Sequence, residues 1–101
     1  MERFAVLAIL EAKPGKEEAV HEFLAAALPL VQSETDTVAW YALQLGPSTF
    51  GIFDTFADQG GRDAHLSGAL AKALIEKADD LFTTPPAISQ ADILVVKSPR
   101  R

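Results

Sequence analysis

The chain contains no cysteine and no asparagine, and only one tryptophan, one tyrosine and one methionine in 101 residues. Without cysteine there is no disulfide framework, no thiolate nucleophile and no thiolate metal ligand. Cationic side chains are in the minority, nine Lys and Arg against fourteen Asp and Glu, and the resulting net charge of -5 opposes binding to phosphate backbones. Nucleic acid is not an expected partner. Long apolar runs are missing too, since stretches such as Phe23 to Val31 fall well short of the roughly 20 residues that cross a bilayer. No N-terminal segment combines basic residues, a long apolar stretch and a small-residue cleavage site. The expectation is a reduced, cytoplasmic setting with no membrane partner.

What is present is apolar material, at 49% of the residues, in a chain long enough for one domain spanning 1–101 and too short for a second core. Residues 3–12, RFAVLAILEA, read as a strand stopped by the turn signal Lys13-Pro14-Gly15. From Lys16 the period changes, and Ala19, Val20, Phe23, Leu24, Ala27, Leu28 and Val31 mark one face of a helix with Glu17 and Glu18 at its start. Pro29 is expected to bend this helix or end its regular part. Residues 37–45 and 49–57 read as two strands of a hairpin closed by Gly46-Pro47-Ser48. A second helix opens at Asp58 or Gly61, carries the stripe Leu66, Ala69, Leu70, Ala73, Leu74, Ala78 and Leu81, and stops before Pro85-Pro86. Residues 90–98, QADILVVKS, read as a last strand, with Pro99-Arg100-Arg101 frayed beyond it.

This order predicts an α+β, ferredoxin-like βαββαβ fold with two helices on one face of a four-stranded antiparallel sheet. Both faces of the first strand are apolar, with Phe4, Val6, Ala8 and Leu10 opposing Ala5, Leu7 and Ile9, and the last strand reads the same way through Ile93 to Val96. Two helices cover one face only, so a second copy of the chain is expected over the other, giving a homodimer through the sheet face.

Among titratable groups His65 stands out. An imidazole titrates near neutrality and can take a proton from a phenolic or enolic substrate. It sits one position before Leu66, at the border of the buried stripe, where it could equally tie the helix start to the sheet by hydrogen bonding. Asp54 shares a strand face with Phe50, Ile52 and Phe56, and either pairs with Arg3 or Arg62, reaches a rim, or orients His65. Trp40 and Tyr41 point to opposite faces, one toward the helices and one away. Gly60-Gly61 lacks the surroundings of a phosphate loop and reads as a strand-to-helix turn. Glu17, Glu18 and His21 read as a solvated helix face rather than a metal site.

The amphipathic helix after a Pro-Gly turn, the segment Thr37-Val38-Ala39-Trp40-Tyr41, and FGIFDTFAD leading into DAHLSG together resemble the antibiotic biosynthesis monooxygenase domains. These are small ferredoxin-like proteins that dimerise into an α+β barrel, and the resemblance covers nearly the whole chain. It implies cofactor-independent oxygenation of a quinol or polyphenol-like small molecule, with neither cofactor nor metal. It further implies a pocket between sheet and helices in which His65 is the base, Asp54 orients it, and Trp40, Phe56, Phe23 and Leu66 form the walls. The chain departs from the family at Asp54, where many members carry Glu, and around Ala69, where many carry a second His. The haem-degrading branch fits less well, because the sequence has no Asn and its second helix has no His after His65. The alternative is a non-catalytic dimeric module that binds a small apolar ligand or serves assembly, and a solid core beside His65 would favour it.

Overall fold

The computed structural model describes residues 2–97 and runs β1 (Phe4–Glu11), α1 (Glu17–Gln32), β2 (Thr37–Gln44), β3 (Thr49–Phe56), α2 (Gln59–Leu66), α3 (Ala69–Leu81) and β4 (Ala87–Asp92). The strands form one antiparallel sheet in the order β2-β3-β1-β4, so the two central strands are β3 and β1. This is the ferredoxin-like arrangement of an α+β domain.

Strand alternation decides which side chains the helices cover. Along the β1–β3 ladder, Val6 lies opposite Asp54, Ala8 opposite Ile52 and Leu10 opposite Phe50, and all six are buried on the helix side. Val20, Leu24, Ala27 and Val31 of α1 and Leu70, Leu74 and Leu81 of α3 close over them. Each large apolar side chain buried this way contributes about 1.5–3 kcal/mol. The far end of α3 is fastened to the sheet by a bridge between Ala12 and Phe82 and by Thr83 donating its N–H to the Glu11 carbonyl at 2.9 Å.

The turn after β1 needs Gly15, whose φ of +84° an L side chain rarely adopts. The 37–45/49–57 hairpin is present, closed by Leu45 and Gly46 donating to the Thr49 carbonyl.

At four places the structure decides or corrects the sequence expectation. Of the two outcomes expected at Pro29, the helix does not end there, and α1 continues to Gln32. Pro29 and Ala25, whose carbonyl loses its helical donor, both lie on the exposed side of the helix. The second helix is two helices, α2 and α3, parted at Ser67-Gly68, where the Ser67 hydroxyl donates back to the Asp63 and Ala64 carbonyls and occupies the acceptors of the last turn. Gly60-Gly61 lies inside the first turn of α2 rather than in the connecting turn, because Asp58 caps the helix by accepting from the Gly61 N–H at 2.8 Å.

β4 covers residues 87–92, not 90–98. Its partner β1 begins at Phe4, opposite Asp92, and beyond that pair, among the described residues, only the Ile93 N–H finds a backbone acceptor, on Arg3. A β-branched run has no strand to join there, and Leu94 and Val95 stand 91% and 90% exposed. Residues Ile93 to Val96 therefore do not add to either sheet face, and Ser98 to Arg101 lie outside the described residues. The apolar outer face rests instead on β1, β2 and β3, where Leu7, Tyr41 and Leu43 are 39%, 55% and 39% exposed.

Candidate functional site

Three elements converge on one imidazole. β3 turns Asp54 toward the helices, in register with Val6 and Trp40. The Asp58 cap sets the phase of α2 so that Gly61, Arg62 and His65 form its buried side. The loop after α1 supplies Glu34. His65 Nδ1 lies 2.7 Å from Glu34 Oε1, and His65 Nε2 lies 2.8 Å from Asp54 Oδ2. Thr37 Oγ1 donates to the same Glu34 Oε1 at 2.7 Å. The Phe56 ring packs on the imidazole at 5.3 Å between centroids.

Burial grades along this chain of groups. Asp54 is 0% exposed and His65 7%, while the Glu34 side chain keeps 20% of its surface. Only an imidazole protonated on both nitrogens can donate to a carboxylate at each end. Burial alone pulls the His65 pKa down and is the largest single influence, but the contacts with Asp54 and then Glu34 together outweigh it and hold the pKa above 6.5. The Asp54 contact is short yet poorly directed, and neither carboxylate oxygen of Asp54 has a well-aligned donor. It is an ion pair more than a hydrogen bond. A buried carboxylate in that position depends on the imidazolium charge for compensation.

Two spaces meet this cluster. On the sheet side, a cavity of about 30 Å³ lined by His65, Asp54, Leu66, Leu70 and Ile88 has room for about one water. On the loop side, His65 and Glu34 line an open cleft of about 390 Å³ whose other walls include Leu30, Asp36, Gly61 and Gly68. Gly61 permits that cleft to take its shape, since a Cβ there would lie 3.0 Å from Asp36 Cβ.

The site residues expected from the sequence are only partly gathered here. His65, Asp54, Phe56 and Leu66 are together. Trp40 is half-buried on the helix side, but it opens on a separate cleft of about 370 Å³ between α1 and β2, with His21, Leu28 and Gln44. Phe23 is half-buried against the core and lines none of these spaces. One continuous pocket walled by Trp40, Phe56, Phe23 and Leu66 is therefore not what the chain forms: α1 and α3 close the middle of the sheet with Leu24, Leu70 and Leu74, dividing the space into separate clefts. Asp54 pairs with His65 and with neither Arg3 nor Arg62. Arg62, also buried, donates to the Ala91 carbonyl at 3.0 Å and lies over the Phe4 ring at 4.9 Å, tying α2 to the β1–β4 edge.

Glu34 carries no sequence signal as a site residue. It follows a helix in an acidic loop and meets His65 from 31 positions away, beyond any local periodicity. Among the described residues no group of three or more His, Asp or Glu side chains is arranged to hold a metal ion, and both nitrogens of His65 already face carboxylates. No helix among them is long and apolar enough to cross a membrane.

No family model matches the chain, and no curated protein matches it. Solved structures do. The NE2512 protein of Nitrosomonas europaea, of unknown function, is 50% identical over 100% of this chain and 98% of its own, with a TM-score of 0.95. Rv0793 of Mycobacterium tuberculosis is 18% identical with a TM-score of 0.82, covering 95% of this chain and 99% of its own. A candidate antibiotic biosynthesis monooxygenase from Nitrosomonas europaea is 17% identical with a TM-score of 0.80, over 91% of this chain and 90% of its own. The two distant likenesses speak for the architecture and the close one for kinship. The chain thus belongs to one family with the Nitrosomonas europaea NE2512 protein, and its fold is that of the antibiotic biosynthesis monooxygenase domains.

Proposed function

We propose that the chain is a cofactor-independent monooxygenase acting on a quinol or polyphenol-like small molecule. The observation that carries this reading is the buried Asp54–His65–Glu34 cluster standing at the wall of a cleft of about 390 Å³, within the size range of small-molecule sites. An electron-rich phenolic substrate is itself the reductant of dioxygen, so the protein has to supply a place to bind and a group that handles the phenolic proton. The cluster has the composition for that second task. Likeness of fold to proteins described as candidate monooxygenases supports the reaction class by analogy.

A second reading, a non-catalytic dimeric module for a small apolar ligand, is favoured by one observation: the space on the sheet side of His65 is only about 30 Å³, room for about one water and too small for a substrate. Oxygen uptake by the purified protein with a panel of hydroquinones separates the two. Uptake that falls by at least tenfold in His65→Ala supports the enzyme. Neither quinol binding nor uptake in the wild type, with His65→Ala behaving identically, removes it.

In both readings the working unit is a homodimer. The outer sheet face exposes Leu7, Tyr41 and Leu43, and a second copy packed on it by a two-fold contact would take that surface out of water.

A further inference from the structure

We infer that Glu34, and not His65, is the residue that receives the substrate's proton, with His65 and Asp54 positioning it from behind. This rests on the monooxygenase reading and names the residue that acts at the same site.

Occupancy and access argue the case. A base needs a free lone pair within reach of the proton it takes, about 2.6–3.2 Å between heavy atoms. His65 Nδ1 is already 2.7 Å from Glu34 Oε1 and Nε2 is 2.8 Å from Asp54 Oδ2, so neither nitrogen offers one. Asp54 is fully buried. Of the two that line the open cleft, Glu34 is the more accessible, with 20% of its side chain exposed against 8% for His65. Its Oε1 accepts from both Thr37 and His65, which fixes the carboxylate plane and leaves Oε2 for a ligand on the Gly68 side, 3.6 Å from where a Cβ on that glycine would stand. A substrate hydroxyl placed there can donate to Oε2.

The step is a proton transfer without change of oxidation state in the protein. The substrate O–H bond breaks, an O–H bond forms on Glu34 Oε2, and the electron pair stays on the substrate oxygen. A phenol is about six pKa units less acidic than a carboxyl group, so the transfer runs to completion as an electron leaves the ring for dioxygen and the hydroxyl acidifies. Before it, the cluster holds two carboxylates and one imidazolium; after it, one carboxylate and one imidazolium. The buried Asp54–His65 pair is neutral before and after the transfer, and the change of charge is confined to Glu34 at the cleft. His65 and Asp54 are positioning residues in this scheme.

The test uses Glu34→Gln, whose amide oxygen can still accept from Thr37 and His65, with Glu34→Asp as the conservative variant. Hydroquinone is the probe. In the wild type, hydroquinone is expected to shift the Glu34 side-chain carboxyl carbon in NMR titration. Glu34→Gln is expected to keep its KM within about threefold while kcat for oxygen uptake falls on the order of a hundredfold or more, with Glu34→Asp recovering part of the loss. A merely structural Glu34 would lower the melting temperature and leave kcat within threefold, which overturns the inference. If the wild type consumes no oxygen, the monooxygenase reading fails, and the titration still decides on Glu34. Shifts confined to the α1–β2 cleft at Trp40 and Gln44 overturn its role, and shifts at Glu34 uphold it as the contact for hydroxyl donors.

Discussion

His65→Gln should cost stability in a manner that depends on pH with a defined sign. The substitution keeps the approximate length of the side chain and removes the positive charge between Glu34 and Asp54. Asp54, fully buried, is then left without charge compensation. Removing one partner of a buried ion pair costs about 3–5 kcal/mol, a large part of the roughly 5–15 kcal/mol that holds a domain of this size folded. Since 1 kcal/mol shifts the melting temperature of a domain of about 100 residues by roughly 4–8 °C, even the lower value is visible. The wild-type imidazole has a folded-state pKa raised above its unfolded value of 6.5 by its carboxylate partners. Its stabilisation is therefore fully present below pH 6.5 and is lost as pH climbs through the folded-state pKa. The assay is urea unfolding of both proteins from pH 6 upward, compared at constant slope. The gap between wild type and variant should be widest at pH 6 and narrow progressively on the alkaline side. A gap that is flat across the series, or that widens with pH, would refute an imidazolium between two carboxylates.

Asp54→Asn should lower the pKa of His65 measured by NMR, because the variant removes the stronger of the two influences opposing burial; an unchanged or higher value contradicts the ion pair. Gly61→Ala should destabilise by about 1–3 kcal/mol in urea unfolding, since its methyl group meets Asp36 Cβ at 3.0 Å and the Asp36 carbonyl at 3.2 Å, both on the segment that bounds the Glu34 cleft. A neutral or stabilising outcome would show that this segment yields freely. If the proposed homodimer forms through the outer sheet face, the double variant Leu7→Lys with Tyr41→Lys on that face should be a folded monomer by light scattering at micromolar concentration where the wild type is a dimer, whereas a wild type that is already monomeric there contradicts the proposal.

The order of elements is written in local pattern. Apolar runs of strand length mark β1, β2 and β3, period 3.6 marks α1, and the turn signals Lys13-Pro14-Gly15 and Gly46-Pro47-Ser48 bound them, so the ferredoxin-like topology is readable without contacts. Breaks that depend on pairing are not. Ile93 to Val96 have strand propensity in full measure, but a strand exists only where another backbone lies alongside, and β1 starts too late to provide it. The parting of α2 from α3 at Gly68 is hidden in the same way, because Leu66 and Leu70 keep a helical spacing across it.

At the site, the sequence by itself marks His65 as the titratable group at the edge of a buried stripe and Asp54 as a carboxylate on an apolar strand face. It does not say that the two meet, for 11 positions and a turn separate them, and it offers no sign of Glu34, brought to His65 across 31 positions by the packing of α1 against α3 and the sheet. Residue chemistry and local period are properties of neighbours along the chain. The occupancy of both imidazole nitrogens, and the single-water space beside them, are properties of how three separate elements close on one another, and only the tertiary structure decides them.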